Sequence, residues 1–220
     1  MTTAIITGAN RGIGLEYCRQ LKERGYEVTA LCRHASEELK ALGVNVYEGF
    51  DVTDGASIEA YAGTLAPGSV DLLVNNAGIL ESTDLEPLDV DVVSRQFTVN
   101  ALGPLRVTAA LIPALAPDAK VVLVTSRMGS IADNTSGGYY GYRMSKAALN
   151  AAGVSLAHDL RPKGIAVAIV HPGFVSTDMT GHGGQIDPPE SVAGMLARID
   201  ELNLENSGTF WHMNGEVLPW

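Results

Sequence analysis

The most informative pair of residues in this sequence is Tyr142 and Lys146, which occupy positions i and i+4 of a helix-forming stretch. This spacing places both side chains on one helix face, one turn apart. A phenol with its ordinary pKa of about 10 exchanges protons poorly near neutrality unless a neighbouring cation favours the phenolate, and Lys146 is such a cation. Tyr139 and Tyr140 have no lysine four residues later. The pair predicts acid–base chemistry at Tyr142, and the alternative is a surface aromatic beside a helix lysine.

A glycine-rich segment, TGANRGIG at residues 7–14, follows the first predicted strand directly and opens a helix pattern. Gly8 permits a tight strand-to-helix turn, Gly12 lets the backbone approach a pyrophosphate, and Gly14 lets helix and strand pack closely. The helix N-terminus then presents free N–H groups and a positive dipole to an anion. The segment predicts a dinucleotide phosphate site, and the alternative is a glycine-rich turn without a ligand.

Short β-branched apolar runs alternate with helix patterns along the chain, as expected for strands that are buried on both faces. The predicted strands cover residues 3–7, 27–32, 44–47, 70–74, 119–125 and 165–170. One helix is predicted to end near Gly25, one to begin at an Asp89 N-cap, and one to cover roughly 142–160. The alternation predicts an α/β fold, a three-layer Rossmann-type doubly wound parallel sheet that binds ligands beyond the carboxyl ends of its strands.

The whole chain, residues 1–220, is interpreted as a single dinucleotide-binding catalytic domain, because no linker or repeat divides it. Residues 174–190 are rich in glycine and proline and are predicted to form a mobile substrate loop before the last helix. The terminal segment, residues 208–220, is predicted to add a strand with a turn at Asn214-Gly215.

Composition excludes several classes of partner. With 15 basic and 25 acidic residues the formal charge is −10, which repels nucleic acids and anionic membranes. The chain has no apolar stretch of membrane-spanning length, its first residues do not resemble a signal peptide, and Cys18 and Cys32 lack disulfide-framework spacing, so a cytoplasmic protein is expected. The five histidines show no metal-ligand spacing, so no metal site is expected.

Three further motifs occur in the order typical of one family. Asn-Asn-Ala-Gly at 75–78 closes the fourth strand, Asp51-Val52 follows the third, and His-Pro-Gly at 171–173 follows the sixth. With the phosphate segment and the tyrosine–lysine pair, they resemble the short-chain dehydrogenase/reductase family over residues 7–173. The segment GGYYGYRMSKAALN and the GTFW…LPW ending are similar to small single-domain carbonyl reductases of the sniffer and C-factor type.

The resemblance implies a nicotinamide cofactor bound by the phosphate loop, the strand ends and the segment after the sixth strand. The implied cofactor-binding residues are Gly8, Asn10, Arg11, Gly12, Ile13, Gly14, Arg33, Asp51, Val52, Asn76, Ala77, Gly78, Tyr142, Lys146, Pro172, Gly173, Val175 and Thr177.

The end of the second strand distinguishes the two nicotinamide cofactors. NAD-specific members carry an acidic residue there, which accepts a hydrogen bond from the ribose 2′-hydroxyl and repels a 2′-phosphate. This chain has Leu31-Cys32-Arg33 instead, and Arg11 lies in the phosphate loop. Because two guanidinium groups can bind a 2′-phosphate by charge-assisted hydrogen bonds, NADP(H) is the predicted cofactor. The alternative for Arg33 is an ordinary solvated surface cation.

The resemblance also implies catalytic roles for Asn100, Ser126, Tyr142 and Lys146. Pro104 has no N–H for the carbonyl of Asn100, so a helix is predicted to kink there. In the family such an asparagine holds a water that connects to the active-site lysine. The alternative is an ordinary helix break before proline.

Ser126 ends the fifth predicted strand, and by resemblance its hydroxyl holds the substrate carbonyl oxygen beside Tyr142. The interval of 16 residues between them is longer than is usual in the family, which leaves the lining of the substrate pocket open. Met128 and Phe174 are candidate substrate contacts, and the alternative is that both belong to the core.

Together these residues predict NADPH-dependent reduction of ketones or aldehydes, reversible as alcohol oxidation, with Tyr142 as general acid and base. The resemblance leaves a cofactor-binding signalling or regulatory protein of the C-factor type as the alternative. Because family members often pair through the helices that carry Asn100 and Tyr142, a homodimer and a monomer both stay open.

Overall fold

Parallel strands form the centre of the molecule, as the alternating apolar runs predict. In the computed structural model, which describes residues 2–220, the seven strands pair in the order β3-β2-β1-β4-β5-β6-β7, and each pair is parallel. The strands are β1 Thr3–Thr7, β2 Glu27–Leu31, β3 Asn45–Tyr47, β4 Val70–Asn75, β5 Leu115–Val124, β6 Ala166–His171 and β7 Phe210–His212. The predicted doubly wound parallel sheet is confirmed.

Helices connect the strands and cover both faces of the sheet. They are α1 Gly12–Glu23, α2 Glu37–Ala41, α3 Gly55–Ala62, α4 Val90–Phe97, α5 Gly103–Leu111, α6 Tyr140–Leu160 and α7 Pro188–Glu201. Side-chain caps explain several helix starts: the predicted Asp89 cap accepts from the N–H groups of Asp91 and Val92, both at 3.0 Å. Asp187 likewise accepts from the N–H of Glu190 at 2.9 Å, at the start of α7.

The core has two halves, one on each face of the sheet. Alternate residues of each strand point to opposite faces, so Ile5 joins the half covered by α3, α5 and α6, whereas Ile6 joins the half covered by α1 and α7. This gives the three layers that the sequence predicts. The strands are apolar on both faces because both faces are covered.

β5 and β7 differ most from prediction, whereas the ends of the other strands lie within one residue of those predicted. β5 begins at Leu115, four residues early: Leu115 pairs with Val70 and Lys120 with Leu72, so the intervening residues form a bulge. Pro117 cannot donate to the ladder and Asp118 has a φ of +65°, which accounts for the interruption. β7 is only three residues long, and the predicted turn follows it, with Gly215 at φ +97° and an antiparallel bridge from Trp211 to Val217.

The strand order reverses between β1 and β4, so the loops that follow these two strands separate there and leave a crevice at their carboxyl ends. Within residues 2–220, no helix has the length and apolar character needed to cross a membrane.

Candidate functional site

The phosphate segment forms a tight turn between β1 and α1. Gly8 has a φ of +65°, and a Cβ there would lie 2.8 Å from the Cα of Ala77. A Cβ on Gly14 would collide with the carbonyl oxygen of Gly8. Both positions therefore require glycine for the reasons that the sequence suggests: a left-handed turn and close helix–strand packing.

Hydrogen bonds join this turn to the loop that follows β4. The Thr7 hydroxyl accepts from the N–H groups of Asn76 at 3.0 Å and Ala77 at 3.1 Å. The Asn76 side-chain amide donates back to the carbonyls of Thr7 and Gly8, both at 3.1 Å. These contacts fix the two loops on either side of the crevice as one unit.

The crevice is a cleft of about 870 Å³. Of the predicted cofactor-binding residues, all but Gly173 and Val175 line it. A Cβ on Gly173 would lie 2.5 Å from the Ile186 side chain, and Val175 is buried and forms a β-bridge with Ile186.

The donor groups in this cleft fit a dinucleotide. α1 begins at the cleft without a side-chain cap, so its first N–H groups are left for an anion. Gly12 has a φ of +53°, and a Cβ there would meet nothing closer than 3.4 Å, at Thr177. The backbone of the turn is therefore open on the side where a pyrophosphate would approach.

Arg33 and Arg11, the two arginines predicted to bind a 2′-phosphate, both line the cleft but differ in their ion pairs. Arg33 lines it, and in residues 2–220 its guanidinium has no carboxylate within ion-pair distance. Arg11 reaches across the opening, and its Nη1 lies 3.3 Å from Oδ2 of Asp178. Asp178 also lies 3.1 Å from Nε2 of His182. An ion pair therefore links the phosphate loop to the 174–190 segment.

Tyr142 and Lys146 lie on the buried face of α6, where the spacing predicts a shared face. The Lys146 Nζ is 5.8 Å from the centroid of the Tyr142 ring and donates to the carbonyl of Val124 at 2.8 Å. Val124 is the last residue of β5, so this bond fixes the lysine at the carboxyl edge of the sheet. Both side chains line the cleft.

Ser126 follows β5 and begins a short 3-10 turn over Arg127–Gly129. Its hydroxyl accepts from the N–H of Met128 at 3.1 Å, and Ser126 is close enough to Tyr142 to lower the pKa of the phenol. The structure thus brings together the serine, tyrosine and lysine that the sequence places far apart.

Burial governs the acid–base properties of this group. It raises the pKa of Tyr142 to about 12, and the nearby Ser126 acts in the opposite direction. It lowers the pKa of Lys146 to about 8. Without cofactor, desolvation opposes the phenolate and the ammonium alike; the lowering of the Tyr142 pKa by Lys146 and an oxidised nicotinamide stays a prediction.

Asn100 lies in a π-helical turn, Thr98–Leu102, between α4 and α5. The N–H of Gly103 donates to the carbonyl of Thr98, five residues earlier, so the kink predicted before Pro104 takes the form of a π-bulge. The side chain of Asn100 is buried; its Oδ1 accepts from the N–H of Ile79 at 2.8 Å, and its Nδ2 donates to the Ile79 carbonyl at 2.9 Å and to the Ser145 hydroxyl at 3.0 Å. Asn100 thus joins the loop after β4 to α6, one residue from Lys146.

The two remaining substrate candidates lie off the main cleft. Met128 is half-buried in the turn after Ser126, and Phe174 is exposed at the start of the 174–190 segment. That segment has a closed base, because the N–H of Ser176 donates to the carbonyl of Ile186 and that of Gln185 to Phe174, both at 2.8 Å.

Sequence reasoning missed several residues that shape the site. Asp178 and His182 line the cleft, and no motif marks them. Thr83 accepts from the N–H of Gly141 at 3.0 Å and so positions the first turn of α6 beside Tyr142. These are single polar residues in segments without spacing signals, and only the fold brings them to the site.

Comparison with known proteins agrees with this geometry. Residues 2–185 match the family model described as short chain dehydrogenase. The chain is 43% identical, over the full length of both proteins, to 1-hydroxy-2-glutathionyl-2-methyl-3-butene dehydrogenase of Rhodococcus sp. (strain AD45). It is 50% identical over 166 residues to C-signal of Myxococcus xanthus, an alignment that covers 74% of this chain and 100% of that protein.

Among solved structures, the NADPH-bound carbonyl reductase from chicken fatty liver superposes with a TM-score of 0.92 at 31% identity, over 100% of this chain and 99% of that one. The family resemblance predicted from the motifs is confirmed, and the protein belongs to the short-chain dehydrogenase family.

Proposed function

We propose that this protein is an NADP(H)-dependent carbonyl reductase that also runs in reverse as an alcohol dehydrogenase. The observation that carries the proposal is the placement of Tyr142, Lys146 and Ser126 at the same sheet edge as an open glycine turn. Acid–base groups and a dinucleotide cradle thus share one cleft. Residues 1–220 would act as one catalytic domain, with residues 174–190 closing over the substrate.

NADP(H) is the cofactor that these residues favour. No carboxylate ends β2, Arg33 is free of acidic partners among residues 2–220, and Arg11 stands at the turn. The similarity to the NADPH-bound carbonyl reductase from chicken fatty liver supports the same choice. The residues that would hold the cofactor are those of the glycine turn, the Asn-Asn-Ala-Gly loop, and Tyr142 and Lys146.

In this proposal the bound cofactor supplies a hydride to the carbonyl carbon. Tyr142 gives its phenolic proton to the carbonyl oxygen, so that a ketone or aldehyde leaves as an alcohol. A pKa of about 12 keeps Tyr142 protonated at neutral pH, which suits the acid required for reduction. Ser126 orients the carbonyl oxygen, and Lys146, with water held near Asn100, returns a proton to Tyr142.

Replacing the acid tests the assignment. Tyr142→Phe removes the proton donor and should abolish NADPH oxidation with aldehydes, cyclic ketones and ketoesters. NADPH binding, measured by fluorescence, should be largely kept, because most of the residues that would hold the cofactor lie in the glycine turn and the Asn-Asn-Ala-Gly loop. Tyr140→Phe, on the same helix but half-exposed, is the matched control and should keep its turnover. Unchanged turnover in Tyr142→Phe would remove Tyr142 from the mechanism.

The second candidate is a cofactor-binding signalling or regulatory protein, and the 50% identity to C-signal is the observation that favours it. Such a protein does not need a proton donor beside the cofactor. A wild-type protein that binds NADPH tightly, yet turns over no carbonyl compound or alcohol across the whole panel, would favour this candidate over the reductase.

A further inference from the structure

The segment between Ser126 and Tyr142 enters the catalytic helix through an unusual backbone conformation. Gly137, Gly138 and Tyr139 have φ values of +64°, +66° and +50°, three left-handed residues in succession. For a residue with a side chain this conformation is unfavourable, so Tyr139 needs surrounding contacts to hold it. The strain lies three residues from Tyr142.

The Arg143 side chain binds the residues directly before Tyr139. Its Nε donates to the carbonyls of Gly137 and Gly138, both at 3.2 Å, and its Nη2 donates to the hydroxyl of Ser136 at 2.8 Å. The N–H of Arg143 also donates to the carbonyl of Tyr139 at 2.9 Å. This last contact is the ordinary main-chain bond of the first helical turn, so the Arg143 side chain itself binds three successive residues, Ser136, Gly137 and Gly138.

The same guanidinium reaches the other end of the segment. Its Nη1 lies 3.5 Å from the carbonyl of Met128, whose own N–H donates to the Ser126 hydroxyl. Arg143 is also the covalent neighbour of Tyr142. A continuous chain of contacts thus runs from one candidate catalytic residue to the other by way of Arg143.

The residue type matters for this arrangement. All the acceptors are neutral carbonyls or a hydroxyl, and in the described part of the chain Arg143 pairs with no carboxylate. A planar guanidinium serves acceptors in several directions at once, whereas a lysine ammonium has three donors on a flexible stem. A surface salt bridge would not need such a fork.

We propose that Arg143 is a positioning residue that holds residues 128–138 against α6 and thereby fixes Ser126 relative to Tyr142. The inference rests on the proposed carbonyl reductase function. In this proposal Arg143 holds the long segment between Ser126 and Tyr142 in one conformation, so that this side of the substrate site is formed before the substrate binds.

The test compares Arg143→Met, which keeps a similar apolar stem but no donors, with Arg143→Lys. Arg161→Met is the matched control: Arg161 donates to the carbonyl of Leu204 at 2.7 Å, just beyond the opposite end of α6. Backbone amide exchange of residues 128–138, the NADPH dissociation constant, and kcat and KM for 4-nitrobenzaldehyde, cyclohexanone and ethyl acetoacetate are measured for each variant.

In Arg143→Met we expect faster amide exchange confined to residues 128–138, unchanged NADPH binding, and a loss in kcat/KM between about tenfold and 100-fold, the effect of displacing a reacting group by up to about 1 Å. Arg143→Lys should restore part of this loss, and Arg161→Met should behave as wild type.

The pH profile gives a readout that loop disorder alone would not move. Because the nearby Ser126 lowers the pKa of Tyr142, weakening this interaction should shift the acidic limb of cyclohexanol oxidation to higher pH. If Arg143→Met loosens the segment but keeps kcat/KM within twofold and the limb unmoved, or leaves the exchange unchanged, the role of Arg143 is refuted. A wild-type protein that binds NADPH and turns over none of these compounds refutes the reductase function instead.

Discussion

Removing the carboxylate of Asp178 should strengthen NADPH binding. Arg11 faces the predicted 2′-phosphate site, yet its Nη1 is 3.3 Å from Asp178, so a bound 2′-phosphate must compete with this carboxylate for the guanidinium. Asp178→Asn removes the competing charge and leaves the length and shape of the side chain nearly unchanged.

The magnitude follows from the exposure of the pair. The two side chains are 68% and 57% exposed, so the pair belongs to the class worth about 0.2–1 kcal/mol. Releasing Arg11 from it should lower the NADPH dissociation constant by about 1.4- to 5-fold. NADH carries no 2′-phosphate, so its dissociation constant should stay constant.

Fluorescence titrations with both cofactors at about 0.02 M and 0.3 M salt measure the effect, which should shrink at the higher salt because exposed charges are screened. Asp159→Asn, at the far end of α6, removes the same formal charge away from the cleft and is the control. Weaker NADPH binding, or equal gains for NADPH and NADH, would refute the competition between Asp178 and the phosphate.

Three other predictions concern Arg33 at the predicted 2′-phosphate site, the buried Lys146, and the contact of Gly153 in α6 with the sheet. Arg33→Ala should raise the NADPH dissociation constant much more than that of NADH, and equal losses would contradict a phosphate-binding role. Burial lowers the pKa of Lys146 from 10.5 to about 8, so its charged form destabilises the fold below pH 8 and this cost disappears as the pH rises towards 10.5. Raising the pH from 7 to 10 should therefore increase the free energy of unfolding of the wild type relative to that of Lys146→Met by on the order of 3 kcal/mol, as measured by chemical denaturation. Parallel pH profiles of the two unfolding free energies would contradict the lowered pKa. Gly153→Ala should lower the free energy of unfolding by about 1–3 kcal/mol, because a Cβ there would lie 2.6 Å from the Ile169 side chain; thermal unfolding checks this.

The sequence predicts the sheet well because its information is local. Each strand is a short apolar run, and burial on both faces demands such a run wherever the strand lies. The bounds of β5 differ from prediction because Pro117 and the positive φ of Asp118 interrupt the strand and form the bulge before Lys120. The kink before Pro104 was predictable from its missing N–H. Its π-helical form, and the bonds of Asn100 to Ile79 and Ser145, carry no signal in the local sequence.

The site was predictable as far as its motifs extend. Glycine turns and the Tyr142–Lys146 spacing carry their geometry in the sequence, so these residues converge on the cleft as expected. The pKa of Tyr142 could not be predicted, because desolvation depends on all the groups that pack around the phenol. Asp178 could not be recognised either, since its contact with Arg11 joins residues 167 positions apart.

The bonds between Thr7 and Asn76 bear on the order in which the protein acquires its function. They connect residues 69 positions apart, and the glycine turn packs against Ala77 from the same distant loop. A nascent chain that ends before β4 contains the whole glycine motif but lacks the contacts from Asn76 and Ala77. We therefore expect the cofactor to stabilise the chain only after β1 and β4 have paired, a long-range event that is slow to form. Protection by NADPH against proteolysis would then report completed assembly of the sheet centre.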